Sequence, residues 1–308
     1  MRKGRLSTAV LTFAILAIVG CSGCVQPQRG PVQVEGPQTP AQAKREPPTP
    51  LPNRPDSLKF AVLGDFGDGS DEQYETAAQM AKVRERFPYE LVITVGDNIY
   101  GSERPQDFVR KFETPYKPLL DAGVKFYASL GNHDSREQRF YKLFNMDGKL
   151  YYSFTADKQS VKFIALESTY LEPEQVQWLQ KELEGSREAW KIPYFHHPPY
   201  SSGGRHGSHL QHREVLEPLF VKYNVSVVFT GHDHIYERTK PQQGIVYFVT
   251  GSGGKLRRGN LDNTGLTAVG YTLDRAFVVC EINGDELFFN AISRTGEIID
   301  SGVITRRK

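Results

Sequence analysis

The chain has 308 residues, 39% hydrophobic and 24% charged, which suits one large α/β domain or two small ones with a closed core and excludes disorder for most of its length. Its 38 basic and 36 acidic residues leave a net charge of +2 without a basic stripe, which argues against nucleic acid as the main partner. An acidic substrate would need a local site.

The first residues, "MRKGR", carry three cations, and "LSTAVLTFAILAIVG" follows as an apolar run too short for a comfortable membrane span. Residues 1–20 therefore read as a signal peptide. The stretch "IVGC", Ile18 to Cys21, resembles the bacterial lipobox, whose cysteine is lipidated and becomes the mature amino terminus. Cys21 is the candidate membrane anchor; an ordinary secretory signal or an uncleaved anchor are the alternatives. Ser22 resembles the pattern that sends such lipoproteins onward to the outer membrane, so the expected location is extracytoplasmic, with secretion as the other outcome. Removal of Arg2, Lys3 and Arg5 leaves the mature chain nearly neutral. Of its thiols, Cys24 and Cys280 would remain, far apart in sequence, and no disulfide framework is implied.

Residues 21–57 are rich in Pro and Gln and lack apolar periodicity, the composition of a disordered tether. Such a segment would hold a folded domain at a distance of about 3 Å per residue at most. The folded catalytic domain is expected to occupy residues 58–308.

From Leu58 onward, strand-like and helix-like segments alternate. Apolar, β-branched or aromatic runs at 58–64, 90–96, 124–131, 161–167, 191–196 and 225–231 predict strands. Between several of them, 71–86, 172–186 and 212–224 have apolar residues at helical spacing with acidic residues in the first turn. From about Val246 the pattern changes to strands and turns, and Asn283-Gly284 predicts a hairpin turn. No internal repeat is present. The expected architecture is a mixed sheet system with helices outside and chemistry on the loops that leave the strands.

Those strand ends carry a consistent set of residues. Asp65 follows the first strand in "GDFG"; Asp97 and Tyr100 follow the second in "GDNIY"; Asn132, His133 and Asp134 follow the third in "GNHD". The fifth runs into "HHPPY" with His196 and His197, and the sixth into "GHDHIYER" with His232 and His234. Two histidines two residues apart at the mouth of a strand point alike, so both imidazoles can reach one point. All 8 histidines fall between residues 133 and 234, and five of them belong to these motifs.

The ordered set "GDFG", "GDNIY", "GNHD", "HHPPY" and "GHDHIYER" resembles the calcineurin-like metallophosphoesterases, and Tyr100 points to their purple acid phosphatase branch. The resemblance covers about residues 58–255 and implies an α/β fold, the metallophosphoesterase-type four-layer α/β/β/α sandwich with mixed sheets. It also implies two metal ions, one on Asp65, Asp97, Tyr100 and His234 and the other on Asp97, Asn132, His196 and His232, with Asp97 as the bridge. A phenol with a free pKa of about 10 ionises readily beside a strong Lewis acid, which favours Fe(III) at Tyr100. The second ion is divalent, and Fe, Zn or Mn suit its ligands equally.

The activity implied is phosphate ester hydrolysis by a metal-bound hydroxide without a phosphoenzyme. His133 resembles the histidine that contacts the phosphate, with Asp134 to orient it. His206 resembles the histidine offered to the leaving group, with His209 or Arg205 as alternatives. His197 reads as a neighbour of the site. Hydrolysis of diesters or nucleotides by the same fold, or a surface lipoprotein that binds a ligand without turnover, are the competing functions. Three further stretches read as structural. "GSGGKLRRG" (251–259) lacks the helix and the Lys-Ser/Thr ending of a phosphate loop and reads as a turn. Trp178 and Trp190 are assigned to packing. Glu237 and Arg238 either brace the metal loop or pair on the surface.

Overall fold

The computed structural model describes residues 48–308. The expected signal peptide, Cys21, Cys24 and the expected tether as far as residue 47 lie outside the described residues. In chain order the elements are β1 (Leu58–Leu63), α1 (Asp71–Arg86), β2 (Leu91–Val95), α2 (Pro105–Phe108), α3 (Lys117–Asp121), β3 (Lys125–Ser129), β4 (Tyr152–Thr155), β5 (Val161–Ala165), α4 (Pro173–Gly185) and β6 (Trp190–Tyr194). The second half supplies α5 (Leu210–Lys222), β7 (Val227–Thr230), β8 (Tyr236–Thr239), β9 (Val246–Thr250), β10 (Thr267–Tyr271), β11 (Ala276–Asn283), β12 (Glu286–Ser293) and β13 (Ile298–Thr305).

Local signals account for where the helices start. Ser70 caps α1 by accepting the Gln73 N–H, with Asp71 and Glu72 in the first turn and Arg84 and Arg86 in the last. Pro173 opens α4, where its missing N–H has no intrahelical role. The cap of α5 is His209, whose Nδ1 accepts the His212 N–H at 3.3 Å.

The strands form two mixed sheets, ordered β13-β12-β11-β1-β2-β3 and β10-β8-β9-β7-β6-β5-β4. β1, β2 and β3 are parallel, as are β5, β6, β7 and β9, while β11 pairs antiparallel with β1. Every residue of β1, β2 and β9 is buried, as expected of strands covered on both faces. Aromatic edges join the facing sheets: Phe60 meets Phe163 with ring centroids 5.2 Å apart, and Phe248 meets Phe289 at 5.1 Å. Outside, Leu179, Leu183, Leu216 and Phe220 of α4 and α5 pack on Ile164, Leu166, Val228 and Tyr247 of the seven-stranded sheet. Ala77 and Met80 of α1 lie in the cluster that holds the six-stranded sheet. The layering is the α/β/β/α sandwich that the motifs implied.

Three features depart from the sequence reading. β4, β8 and β10 are short, the first two half polar and the third interrupted by Gly270, and they were not anticipated. In the C-terminal hairpin Asn283 pairs with Glu286, so the two loop residues are Gly284 and Asp285, and the positive φ of 62° belongs to Gly284. Asn283 is the last strand residue and not a turn residue. Packing also begins before Leu58. Glu281 of β11 accepts the backbone N–H groups of Asn53 (2.6 Å) and Arg54 (2.7 Å) and the Ser57 hydroxyl (2.7 Å), and Ser301 accepts the Thr49 N–H at 2.8 Å.

Candidate metal centre

The loops after β1, β2, β3, β6 and β7 meet at the carboxyl ends of their strands, where a doubly layered α/β fold leaves a crevice. Backbone bonds lock them together. Asp65 N–H donates to Gly96 O at 3.0 Å, Phe66 N–H to Asp97 O at 3.2 Å, and Gly231 N–H to His196 O at 2.9 Å. Asp65, Asp97 and His232 hold φ angles of 53°, 52° and 71°, in the left-handed region that non-glycine residues seldom adopt. Such conformations cluster at functional sites. At Gly131 a Cβ would stand 2.2 Å from Asp97 Oδ1, so only glycine lets the β3 loop come this close.

Two groups of lone-pair atoms result. In the first, the Tyr100 hydroxyl lies 3.1 Å from both Asp65 Oδ1 and His234 Nε2, and His234 Nε2 lies 3.4 Å from Asp65 Oδ1. Ligand-capable atoms of Asp65, Asp97 and His234 fall within 4.8 Å of one another. In the second, His196 Nε2 is 3.0 Å from Asn132 Oδ1, 3.1 Å from His232 Nδ1 and 3.5 Å from Asp97 Oδ1. His196 Nδ1 lies 3.0 Å from Val95 O, which can only accept, so the ring proton sits on Nδ1 and the Nε2 lone pair faces the cluster. All seven residues that the motifs proposed as metal ligands converge here.

Electrostatics describes the same arrangement. Burial, then the Asp97 charge, raises the Asp65 carboxyl well above its ordinary value. Burial drives the Tyr100 phenol up, aided by Asp65 and Asp97, and it holds the His232 imidazole far below its ordinary value. His234 is lowered to about 3, by burial first and the Arg257 charge next. Carboxylates and neutral imidazoles that converge with their lone pairs facing one another form a donor set for hard or borderline cations.

The surrounding histidines divide by role. His197 shares a group within 4.8 Å with His196 and His232, so it stands closer to the centre than the sequence suggested. Its Nδ1 and its backbone N–H both engage Ser168 Oγ, each at 3.0 Å. His133 is exposed, its ring 4.9 Å from that of Tyr100, and its N–H donates to Asp97 Oδ1 at 2.9 Å. His206 is exposed too, its ring 4.1 Å from that of His232. His209 is taken up by capping α5 and stacks on His212 at 3.7 Å, which leaves His206 as the loop histidine over the centre.

Asp134 differs from its expected role. Its carboxylate accepts the N–H groups of Asn98, Ile99 and Gly131 and the Gln138 amide, all between 2.8 and 3.0 Å. It braces the β2 and β3 loops and does not orient the His133 ring. Burial and the Asp97 charge raise its carboxyl to about 7 against the pull of those N–H groups.

Asp233, which the motifs missed, and Glu237, which they offered as a brace, complete the framework. Asp233, fully buried between the two histidines, accepts the Ser201 hydroxyl at 2.6 Å and the Gly207 N–H at 3.1 Å through Oδ2. A Cβ on Gly203 would come within 2.1 Å of its carboxylate, so the loop wraps it closely. Glu237, also buried, accepts Ser202 N–H at 2.7 Å and the Thr267 hydroxyl at 2.6 Å, which settles it as a brace of the same loop. Arg238 instead pairs with Asp300 of β13 at 2.7 Å.

Residues 58–236 match the calcineurin-like phosphoesterase family. The chain belongs to that family. Purple acid phosphatase 4 of Arabidopsis thaliana is 30% identical over 239 residues, 66% of this chain and 70% of that protein. This phosphoesterase thus stands in the purple acid phosphatase-like branch. Among solved structures, a purple acid phosphatase, PPD1, isolated from yellow lupin (Lupinus luteus) seeds shares its fold with a TM-score of 0.66 at 20% identity, over 83% of this phosphoesterase and 55% of the lupin chain. GAP50, the anchor in the inner membrane complex of Plasmodium, superposes with a TM-score of 0.71 at 20% identity, over 82% and 90% of the two chains.

Proposed function

We propose that this metallophosphatase is a binuclear hydrolase of phosphate esters, in which Asp65, Asp97, Tyr100 and His234 hold one ion and Asp97, Asn132, His196 and His232 the other. The reading is carried by the two lone-pair groups on either side of Asp97, with Tyr100 Oη 3.1 Å from two partners and His196 Nε2 3.0 and 3.1 Å from two others. A buried phenol beside two carboxylates ionises only against a strong Lewis acid, which favours Fe(III) at Tyr100. The second position suits divalent Fe, Zn or Mn. When bound, the pair supplies charge stabilisation for the phosphoryl oxygens and an activated water, with no need for a phosphoenzyme.

The chain's own residues complete the chemistry. Val95 O fixes the His196 ring by accepting a hydrogen bond from its Nδ1–H, so the Nε2 lone pair stays aimed inward. His133, held at the rim through its bond to Asp97, contacts the ester phosphate. His206 gives the proton to the leaving oxygen, and Asp233 and Glu237 hold its loop in register.

Assay of the metal-reconstituted protein on p-nitrophenyl phosphate and its bis ester, with metal analysis and a visible spectrum, tests the reading. Turnover of the monoester with about two metals per chain is expected. Asp97→Ala with activity intact would remove the bridging assignment, and turnover without a visible band would remove only the Fe(III)-tyrosinate. Preference for the bis ester would favour the diesterase alternative, and metal binding without any turnover the ligand-binding one.

A lipid on Cys21 as the membrane anchor is a separate proposal, supported by the lipobox-like "IVGC". Metabolic labelling of the chain with a fatty acid, lost on Cys21→Ser, is its test.

A further inference from the structure

We propose that Lys111 is a positioning residue of the metal centre: its buried ammonium grips the backbone on both sides of Gly101 and so aims the Tyr100 phenol at the group formed with Asp65 and His234. The proposal rests on the metallophosphatase reading above and adds a residue that lies outside every strand-end motif.

The loop after β2 needs such a grip. Tyr100 N–H donates to Gly67 O at 2.9 Å, which fixes one side of the residue. On the other side Gly101 takes a φ of 75°, with no atom close enough to meet a Cβ, so only a permissive backbone links Tyr100 to Ser102. Lys111 Nζ closes that side by donating to Tyr100 O at 2.5 Å and to Ser102 O at 3.1 Å. Asp107 accepts the Ser102 hydroxyl at 2.8 Å and lies 3.8 Å from Lys111 Nζ, so the buried ammonium has a counterion. The Tyr100 hydroxyl is 3.1 Å from both Asp65 Oδ1 and His234 Nε2, and a small swing at Gly101 would part it from one of them.

Lys111 is itself placed for this task. Val109–Glu113 is a single π-helical turn, closed by Thr114 N–H on Val109 O at 2.8 Å, and such turns are frequent at functional sites. From the other side α1 fastens the turn: the Tyr74 hydroxyl donates to Arg110 O at 2.6 Å, and the Gln73 amide donates to Lys111 O. The lysine is buried, where a charge is costly unless it is paired and hydrogen-bonded. Methionine would fill similar space and leave both carbonyls bare.

The test is a double-mutant cycle on the full-length chain, with wild type, Lys111→Met, Tyr100→Phe and the double variant, and with Lys111→Arg as the conservative change. Calorimetric titration with Zn(II) reads metal affinity, the visible spectrum after loading with Fe(III) reads the tyrosinate band, and melting of the metal-free proteins reads folding. Lys111→Met should weaken one of the zinc sites roughly tenfold to a hundredfold and shift or weaken the band, with part of both recovered in Lys111→Arg. In the Tyr100→Phe background the same substitution should add little. Equal losses in both backgrounds, or a lower melting midpoint with affinity and band unchanged, would make Lys111 a structural residue and overturn the proposal. Lys111→Gln, which keeps one donor, carries the same comparison if Lys111→Met does not fold. Zinc binding by a wild type without a visible band removes only the Fe(III)-tyrosinate, and the zinc cycle still decides the role of Lys111. A wild type that binds no metal sinks the metallophosphatase reading first, and the proposal with it.

Discussion

Asp233 Oδ2 accepts the Ser201 hydroxyl at 2.6 Å, and through this bond the turn carrying His232 and His234 grips the loop carrying His206. Asp233 touches none of the reacting atoms; it is a positioning residue. Asp233→Asn and Ser201→Ala should each lower kcat roughly tenfold while metal content and KM stay near wild type, because a loosened acid costs the chemical step more than binding. Metal analysis beside the kinetics checks it, and a matching loss of metal would make Asp233 a support of the centre instead.

His212 sets an acid limit on stability. It is buried against His209, which stacks on it from the head of α5, and against His197 from the loop after β6. Burial, with the His209 charge, lowers its pKa to about 4, below an unfolded value near 6.5. The unfolded chain therefore binds the proton first. Stability is full above about 6.5 and falls with pH down to about 4, by up to about 3 kcal/mol. Urea titrations between pH 7 and 4 should record that slope together with those of His232 and His234, and His212→Gln should make it shallower.

Chelation should destabilise the fold as well as silence it. Asp65, Asp97 and His232 keep strained backbone angles at φ 53°, 52° and 71°, and a ligand that binds only the folded chain offsets that strain. At a thousandfold excess over its Kd, a bound ion adds about 4 kcal/mol. A melting midpoint lower by on the order of 10 °C after chelation, regained with added Fe or Zn, is the expected calorimetric result. In Asp97→Asn the same treatment should change little.

The position of residues 49–57 bears on any shortening of the chain. Glu281 receives three hydrogen bonds from Asn53, Arg54 and Ser57, and a chain started at Leu58 leaves that buried carboxylate without them. Such a chain should lose about 1–3 kcal/mol relative to one started at Glu46, measured by denaturant unfolding.

Much of the site was legible because its residues sit at the ends of β-branched strands, where a two-residue alternation fixes which side chains share a face. Asp65, Asp97 and Asn132 follow successive parallel strands as that placement expects. His232 and His234 instead lie past the end of β7 in a turn where His232 takes φ 71°, so each meets a different group and alternation does not set them. What was not legible depends on contacts between distant segments. Nothing local in "GHDH" says that its middle aspartate holds a loop some thirty residues earlier, and nothing in "GSGGKLRR" says that its backbone bonds to Asp65. Asp134 misled for the same reason, since its partners Asn98 and Ile99 belong to another strand's loop. β8 escaped because Glu237 and Arg238 interrupt its apolar pattern, and β10 because Thr-Ala-Val-Gly-Tyr is short and contains Gly270.

Cys280 sits opposite Phe60 on one neighbouring strand and Phe289 on the other, fully enclosed, with its thiol driven well above the usual value by burial. It is the one cysteine among the described residues, so no rival thiol there can capture it in a wrong bridge. An alkylating reagent meets this sulfur only when the central strands part. The rate of its labelling is thus a clock for whole-domain opening, readable by mass spectrometry in the native protein with or without metal.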